Sequence, residues 1–275
     1  MTGEQVEILA DADACADRAA RLIARTLVGA AAARGAAHWA TTGGSAPAAI
    51  YRRLAAAPLR DTVPWERVQL WWGDDRFVPA DHPLSNVHVA TSDLLEIGAL
   101  SGESGTGGSG VDVGGRRPGA PIPAGNVHRV PVSEAIAASA GPEWAAERYA
   151  EELAAAGPPS ADGVPVFDLV LLGVGPDGHI LSVFPGSVAF DRPEAVLGIP
   201  APTHVEPHVP RVTLNPRIVA AAQTVVVVVH GASKAAILGS VLGDEVDERR
   251  WPAQLARREG ATWILDEAAA SAIRR

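Results

Sequence analysis

The chain has 275 residues, 47% of them hydrophobic, and a formal net charge of −9; this suits one large globular domain, or a domain with a smaller lobe, and argues against sequence-independent nucleic-acid binding, which needs a basic footprint. A lone cysteine, Cys15, excludes a disulfide framework and any multi-cysteine zinc site. No apolar run approaches membrane-spanning length and the opening MTGEQVEILADAD lacks the basic and apolar parts of a secretory leader, so a cytoplasmic protein without membrane insertion is expected.

In chain order, residues 6–9 read as a strand, and a helix follows from an acidic cap at Asp11 or Asp13 to about Ala33. Residues 37–41 form the next strand, which stops at Gly43-Gly44-Ser45 before a helix with Pro47 in its first turn. A third strand, 68–72, stops at Gly73-Asp74-Asp75-Arg76. Residues 98–125 break the alternation: they are rich in Gly, Ser and Pro, with little to bury, and read as a flexible surface insertion carrying Arg116 and Arg117 as a solvated pair. Residues 142–156 read as a helix. The apolar run 166–172 is of the kind buried in a parallel sheet, and it stops at glycines before an Asp177-Gly178-His179 step. A strand with Val225 to Val229 at its centre turns into a helix at Lys234, the only lysine in the chain. Residues 262–265 are a late strand before a terminal helix from Asp266.

Strands alternating with helices predict an α/β fold around a mostly parallel sheet, here as a single domain over 1–275 interrupted by the 98–125 insertion. Four strands end in polar or glycine-rich turns, GGS, GDDR, GVGPDGH and HGASK, which on one sheet edge would converge on one crevice. Ligands bind in such crevices beyond the carboxyl ends of the strands.

Each turn has two readings. Thr41 to Ser45 is either strand-to-helix punctuation, with Ser45 as a cap, or a phosphate cradle of backbone N–H groups at a helix start. Gly173 to Gly178 spells a dinucleotide-binding G-x-G-x-x-G, but Pro176 removes a donor, Asp177 sets a carboxylate against the pyrophosphate and no suitable helix follows, so no nicotinamide cofactor is expected. His204 and His208 have i, i+4 spacing, yet Pro202, Pro207 and Pro210 deny them a shared helix; with Asp74, Asp75, Asp81 and His82 they read as loop and capping residues, and no metal is expected. No G-x-S-x-G elbow or reactive-cysteine context offers a covalent nucleophile. His179 is left as a base acting on water or substrate.

Together, TTGGSAPAAIYRRL (41–54), WWGDDRFVPADHPLSNVHVA (71–90), DLVLLGVGPDGHILSVFPGS (168–187) and RVTLNPRIVAAAQTVVVVVHGASKAAIL (211–238) resemble, in order, the 6-phosphogluconolactonase family. The resemblance implies a Rossmann-like three-layer α/β sandwich with a small additional lobe, as in glucosamine-6-phosphate deaminase and ribose-5-phosphate isomerase. It also implies metal- and cofactor-free hydrolysis of 6-phosphoglucono-δ-lactone in the oxidative pentose phosphate pathway, by a monomer or small homo-oligomer. By the same resemblance His179 is the general base, Asp177 its partner, and Arg76 and Lys234 the phosphate ligands beside Gly43, Gly44 and Ser45. Asn86, Arg211 and Asp74 are further substrate-site candidates. The chain departs from the family at Thr42 (usually Ser), Asp75 (usually Glu) and Ile180-Leu181 (usually Thr-Ala). Ile180 is similar to the deaminase run G-H-I-A-F-N-E-P, but residues 182–186 lack its acidic residue and GDDR replaces its M-D-E-Y, so the lactonase pattern fits better than a deaminase. A non-catalytic sugar-phosphate sensor on the same fold would need the cationic turns but not His179.

Overall fold

The computed structural model describes residues 3–95 and 119–273. In chain order the strands are β1 Gln5–Leu9, β2 Ala37–Thr41, β3 Val68–Trp72, β4 Asp74–Arg76, β5 Val127–His128, β6 Ser160–Ala161, β7 Val164–Pro165, β8 Leu169–Leu172, β9 Val196–Ile199, β10 Arg211–Leu214, β11 Thr224–Val229 and β12 Ala261–Asp266. The helices are α1 Ala12–Arg34, α2 Ser45–Leu54, α3 Leu59–Thr62, α4 Asn86–Asp93, α5 Val132–Ala137, α6 Pro142–Ala156, α7 Arg217–Ala221, α8 Ala235–Val241 and α9 Glu267–Ala270.

Seven strands form one sheet in the order β1-β12-β11-β8-β2-β3-β5, parallel at every pairing. Central strands of such a sheet are covered on both faces, which is why β8 (LVLL) and the valine run of β11 show no polar alternation. Helix α1 begins where the Asp11 carboxylate accepts the Ala14 N–H at 2.8 Å, and it buries a stripe of Ala16, Ala19, Ala20, Ile23 and Leu27. The core continues into the tryptophans Trp39, Trp71, Trp72 and Trp263, all fully buried.

The expected strands and their order of turns are present, with two corrections. Asp74-Asp75-Arg76 is not a turn but strand β4, which pairs antiparallel with β10 in a second, three-stranded sheet, β4-β10-β9. Gly73 makes the transfer, donating to the Thr41 carbonyl of the main sheet and accepting from the N–H of Leu214, the last residue of β10. The surface insertion expected over 98–125 is described only from Gly119, and there it is already packed: Ala120 and Ile122 are buried, Ala120 is bridged to Leu95, and the Gly119 carbonyl accepts from Arg60 at 2.8 Å. Arg116 and Arg117 lie outside the described residues. Among the described residues no helix is long and apolar enough to cross a membrane.

Candidate active site

From β2 the chain moves to β3 and β5 on one side, whereas from its neighbour β8 it moves to β11 and β12 on the other. The sheet order therefore reverses between β2 and β8, and a crevice opens beyond their carboxyl ends. A cavity of about 460 Å³ occupies that place, walled by all four predicted turns and by a fifth segment, residues 204–206.

Beyond β8, Asp177 and His179 meet. The His179 Nδ1 and Asp177 Oδ1 lie 2.6 Å apart, and the same oxygen accepts the His179 backbone N–H at 3.2 Å. Burial alone would raise the Asp177 carboxyl, but the bonds from His179, with a further one from His204, outweigh it and hold the group well below the usual carboxylate range. An ionised carboxylate only accepts, so His179 Nδ1 carries a proton toward it, and in the neutral ring Nε2 is the nitrogen with the free lone pair. The turn leaves no spare room: a Cβ on Gly175 would lie 2.0 Å from the His179 Nδ1. Residue 181 continues the turn with a left-handed φ of 53°, uncommon for leucine. Ser182 then anchors it, its N–H on the Thr213 hydroxyl and its own hydroxyl on Asp74 at 2.7 Å.

That Asp74 links the histidine turn to the cations. Its other oxygen accepts from the Asn86 amide at 3.1 Å, and the Asn86 carbonyl oxygen accepts from Arg76. Asp75, facing away, accepts from the N–H groups of Asn86 and Arg76 and from the Ser85 hydroxyl; burial pushes its carboxyl up to about 7 against those bonds. Arg211 stands directly opposite Arg76 in the β4–β10 ladder. Burial, and then the Arg76 charge, lower the Arg211 guanidinium from its ordinary value. Like charges opposed across two strands destabilise the pair unless an anion lies between them, and the Arg76 Nε is buried without a hydrogen-bond partner.

Lys234 enters from the short helical turn after β11 and donates from Nζ to the Val174 carbonyl at 2.7 Å, leaving two donors for a ligand. Burial lowers its pKa, and Asp177 opposes that. Gly43 and Gly44 line the cavity at the end of β2. A Cβ on Gly43 would fall 1.9 Å from the Asn86 Oδ1, so only glycine permits this approach. The expected cap by Ser45 is corrected: Ser45 is the first residue of α2, Gly44 holds the cap position, and no side chain caps the helix. The Ser45 side chain lies outside what the structure describes.

The structure thus brings together His179, Asp177, Arg76, Lys234, Gly43 and Gly44, with Asn86, Arg211 and Asp74 alongside. Sequence reasoning missed His204, which was read as a loop residue; its Nε2 lies 2.9 Å from the Asp177 Oδ2. It missed Ser182 too. Neither carries a local signal, because each meets its carboxylate across long sequence separations, 27 and 108 residues.

Residues 10–264 match the family model of glucosamine-6-phosphate isomerases and 6-phosphogluconolactonase. The chain belongs to this family. The 6-phosphogluconolactonase of Synechocystis sp. is 32% identical over 271 residues, covering 98% of each chain, and that of Streptomyces coelicolor is 35% identical over 281, covering 98% of this chain and 95% of the relative. A solved 6-phosphogluconolactonase from Trypanosoma brucei superposes with a TM-score of 0.79 at 28% identity, covering 98% of this chain and 99% of that one. The family match spans every element that walls the cavity.

Proposed function

We propose that this chain hydrolyses 6-phosphoglucono-δ-lactone to 6-phosphogluconate, as a cofactor-free cytoplasmic enzyme of one α/β domain acting alone or as a small homo-oligomer. The observation that carries the reading is the coexistence, in one cavity of an acidic protein, of a carboxylate-bound imidazole and three cationic side chains. The cations supply an anion site; the imidazole supplies a base.

A lactone is an activated ester, so direct attack by water needs no covalent enzyme intermediate. His179 Nε2 takes a proton from water as its oxygen bonds to C1, and Asp177 stabilises the imidazolium that forms. When the tetrahedral centre collapses, the C1–ring oxygen bond breaks and the imidazolium returns the proton to the departing oxygen. Such a base typically contributes about 10²- to 10⁴-fold. Arg76 and Lys234, with the Gly43–Gly44 backbone, hold the phosphate, and Arg211 supplements their charge. Binding energy from this non-reacting group positions C1 at the base.

Turnover of freshly generated 6-phosphogluconolactone against unphosphorylated gluconolactone tests the reading, with ammonia release from glucosamine 6-phosphate as a parallel arm. The expected result is a kcat/KM far higher for the phosphorylated lactone and no ammonia. Equal values for the two lactones, or binding without turnover, would contradict it.

A further inference from the structure

Asp177 is shared by two imidazoles. Its Oδ1 accepts from His179, and its Oδ2 lies 2.9 Å from the Nε2 of His204, which reaches the site from the β9–β10 connection. Because the ionised carboxylate only accepts, both rings donate to it, and both of its oxygens are thereby fixed. Phe184 lies under the pair, its ring 4.7 Å from that of His179 and 5.7 Å, edge-on, from that of His204.

The segment bearing His204 is itself fastened. His208 Nδ1 meets the Pro202 carbonyl at 2.7 Å and closes the segment on itself, while Arg211 donates to the Pro207 carbonyl at 2.8 Å and the Val209 carbonyl at 3.1 Å. One of the cavity's cations therefore holds the loop that delivers His204. The ring is half exposed, so the bond to Asp177, not burial, accounts for its position.

We infer that His204 is a positioning residue for the base: by fixing the second oxygen of Asp177 it sets the plane of the carboxylate, and so the aim of the His179 ring and the pull on its Nδ1 proton. This rests on the reading of His179 as the general base. The other charged or titratable groups lining the same cavity are Lys234 and His230 from the turn after β11, Arg211 from β10, Asp74 and Arg76 from β4, and Glu206 from the same loop as His204.

The test is a double-mutant cycle on kcat, with pH profiles, for His204→Ala, His204→Gln, His179→Ala and the His179→Ala/His204→Ala pair; thermal midpoints establish that each is folded. His204→Ala is expected to lower kcat about tenfold, inside the range of the base itself, with KM nearly unchanged. Freed of one donor, Asp177 pulls harder on His179, so the acid limb of the profile moves to higher pH. His204→Gln keeps an N–H donor and should recover most of the loss, and it carries the test should the alanine variant not fold. In the His179→Ala background, removing His204 should cost nothing further. Wild-type kcat and an unmoved acid limb in both His204 variants, or an additive loss in the double variant, would overturn the positioning role while leaving the base intact. Activity retained by His179→Ala would overturn the base and His204 with it.

Discussion

At the scale of single residues, Lys234 is the sharpest test of the cation assignment, since this chain otherwise uses only arginine. Its ammonium is a compact charge anchored on the Val174 carbonyl, a place that a wider planar guanidinium cannot take without displacing a ligand. Lys234→Arg is expected to raise KM for the phosphorylated lactone, and Lys234→Ala to raise it further, by the equivalent of about 1.5–3 kcal/mol for a charge-assisted hydrogen bond. Turnover of gluconolactone should change far less; equal kinetics across all three proteins would remove Lys234 from the phosphate site. Gly175 tests the base from the other side. A methyl group there would meet the His179 ring, so Gly175→Ala should lower kcat by roughly tenfold or more, as misplacement by about an ångström does, without loss of fold. The Asp177–His179 pair was legible because both residues fall in one turn at a strand end. His204 was not, because three prolines hid a loop whose course is set by Arg211 closing back on its own approach and by Asp177, 27 residues from His204.

At the scale of elements, β4 is the departure from what patterning predicts. Three residues, Asp-Asp-Arg, have little strand propensity, and they pair only because β10 offers a partner and Asp75 satisfies the backbone of the turn into α4. The expectation of a polar turn at a strand's end missed its form, since these residues pair as a strand. Burial of Asp75 has a consequence for stability. With its folded value near 7 and its unfolded value that of an ordinary carboxyl, the folded state holds a proton that the unfolded state has lost between about pH 4 and 7. Stability from this group is therefore full below about pH 4 and falls as pH rises through 7. An asparagine there can accept the Asn86 and Arg76 N–H groups on Oδ1 and donate to the Ser85 hydroxyl. Urea midpoints at pH 5 and pH 8 should therefore differ less in Asp75→Asn than in the wild type, and an undiminished difference would assign the pH dependence elsewhere.

At the scale of the whole molecule, the parallel sheet was readable from apolar runs separated by helices, and the convergence of four segments at its strand ends followed from it. The second sheet was not readable, because β9 and β10 are four residues each and are recognised only by pairing. The insertion is the clearest limit of composition: glycine and proline content persists to Gly125, although Ala120 and Ile122 are buried. Since Leu95 and Ala120 are bridged, a short Gly-Ser linker can close the gap left by residues 98–117. That excision should leave the thermal midpoint and kcat/KM nearly intact, whereas Ala120→Asp, which buries an unpaired charge, should cost more than ~2 kcal/mol. A large loss of kcat/KM in a stable excision variant would show that the segment contributes to catalysis.

The sheet reversal between β2 and β8, the cationic walls and the Asp177 carboxylate all converge on one claim, that His179 is the base that activates water. The most direct measurement is the kcat of His179→Ala on 6-phosphogluconolactone, after subtraction of spontaneous hydrolysis, in a protein whose thermal midpoint matches the wild type. The expected result is a fall of at least about a hundredfold with KM little changed; a kcat near that of the wild type would contradict it.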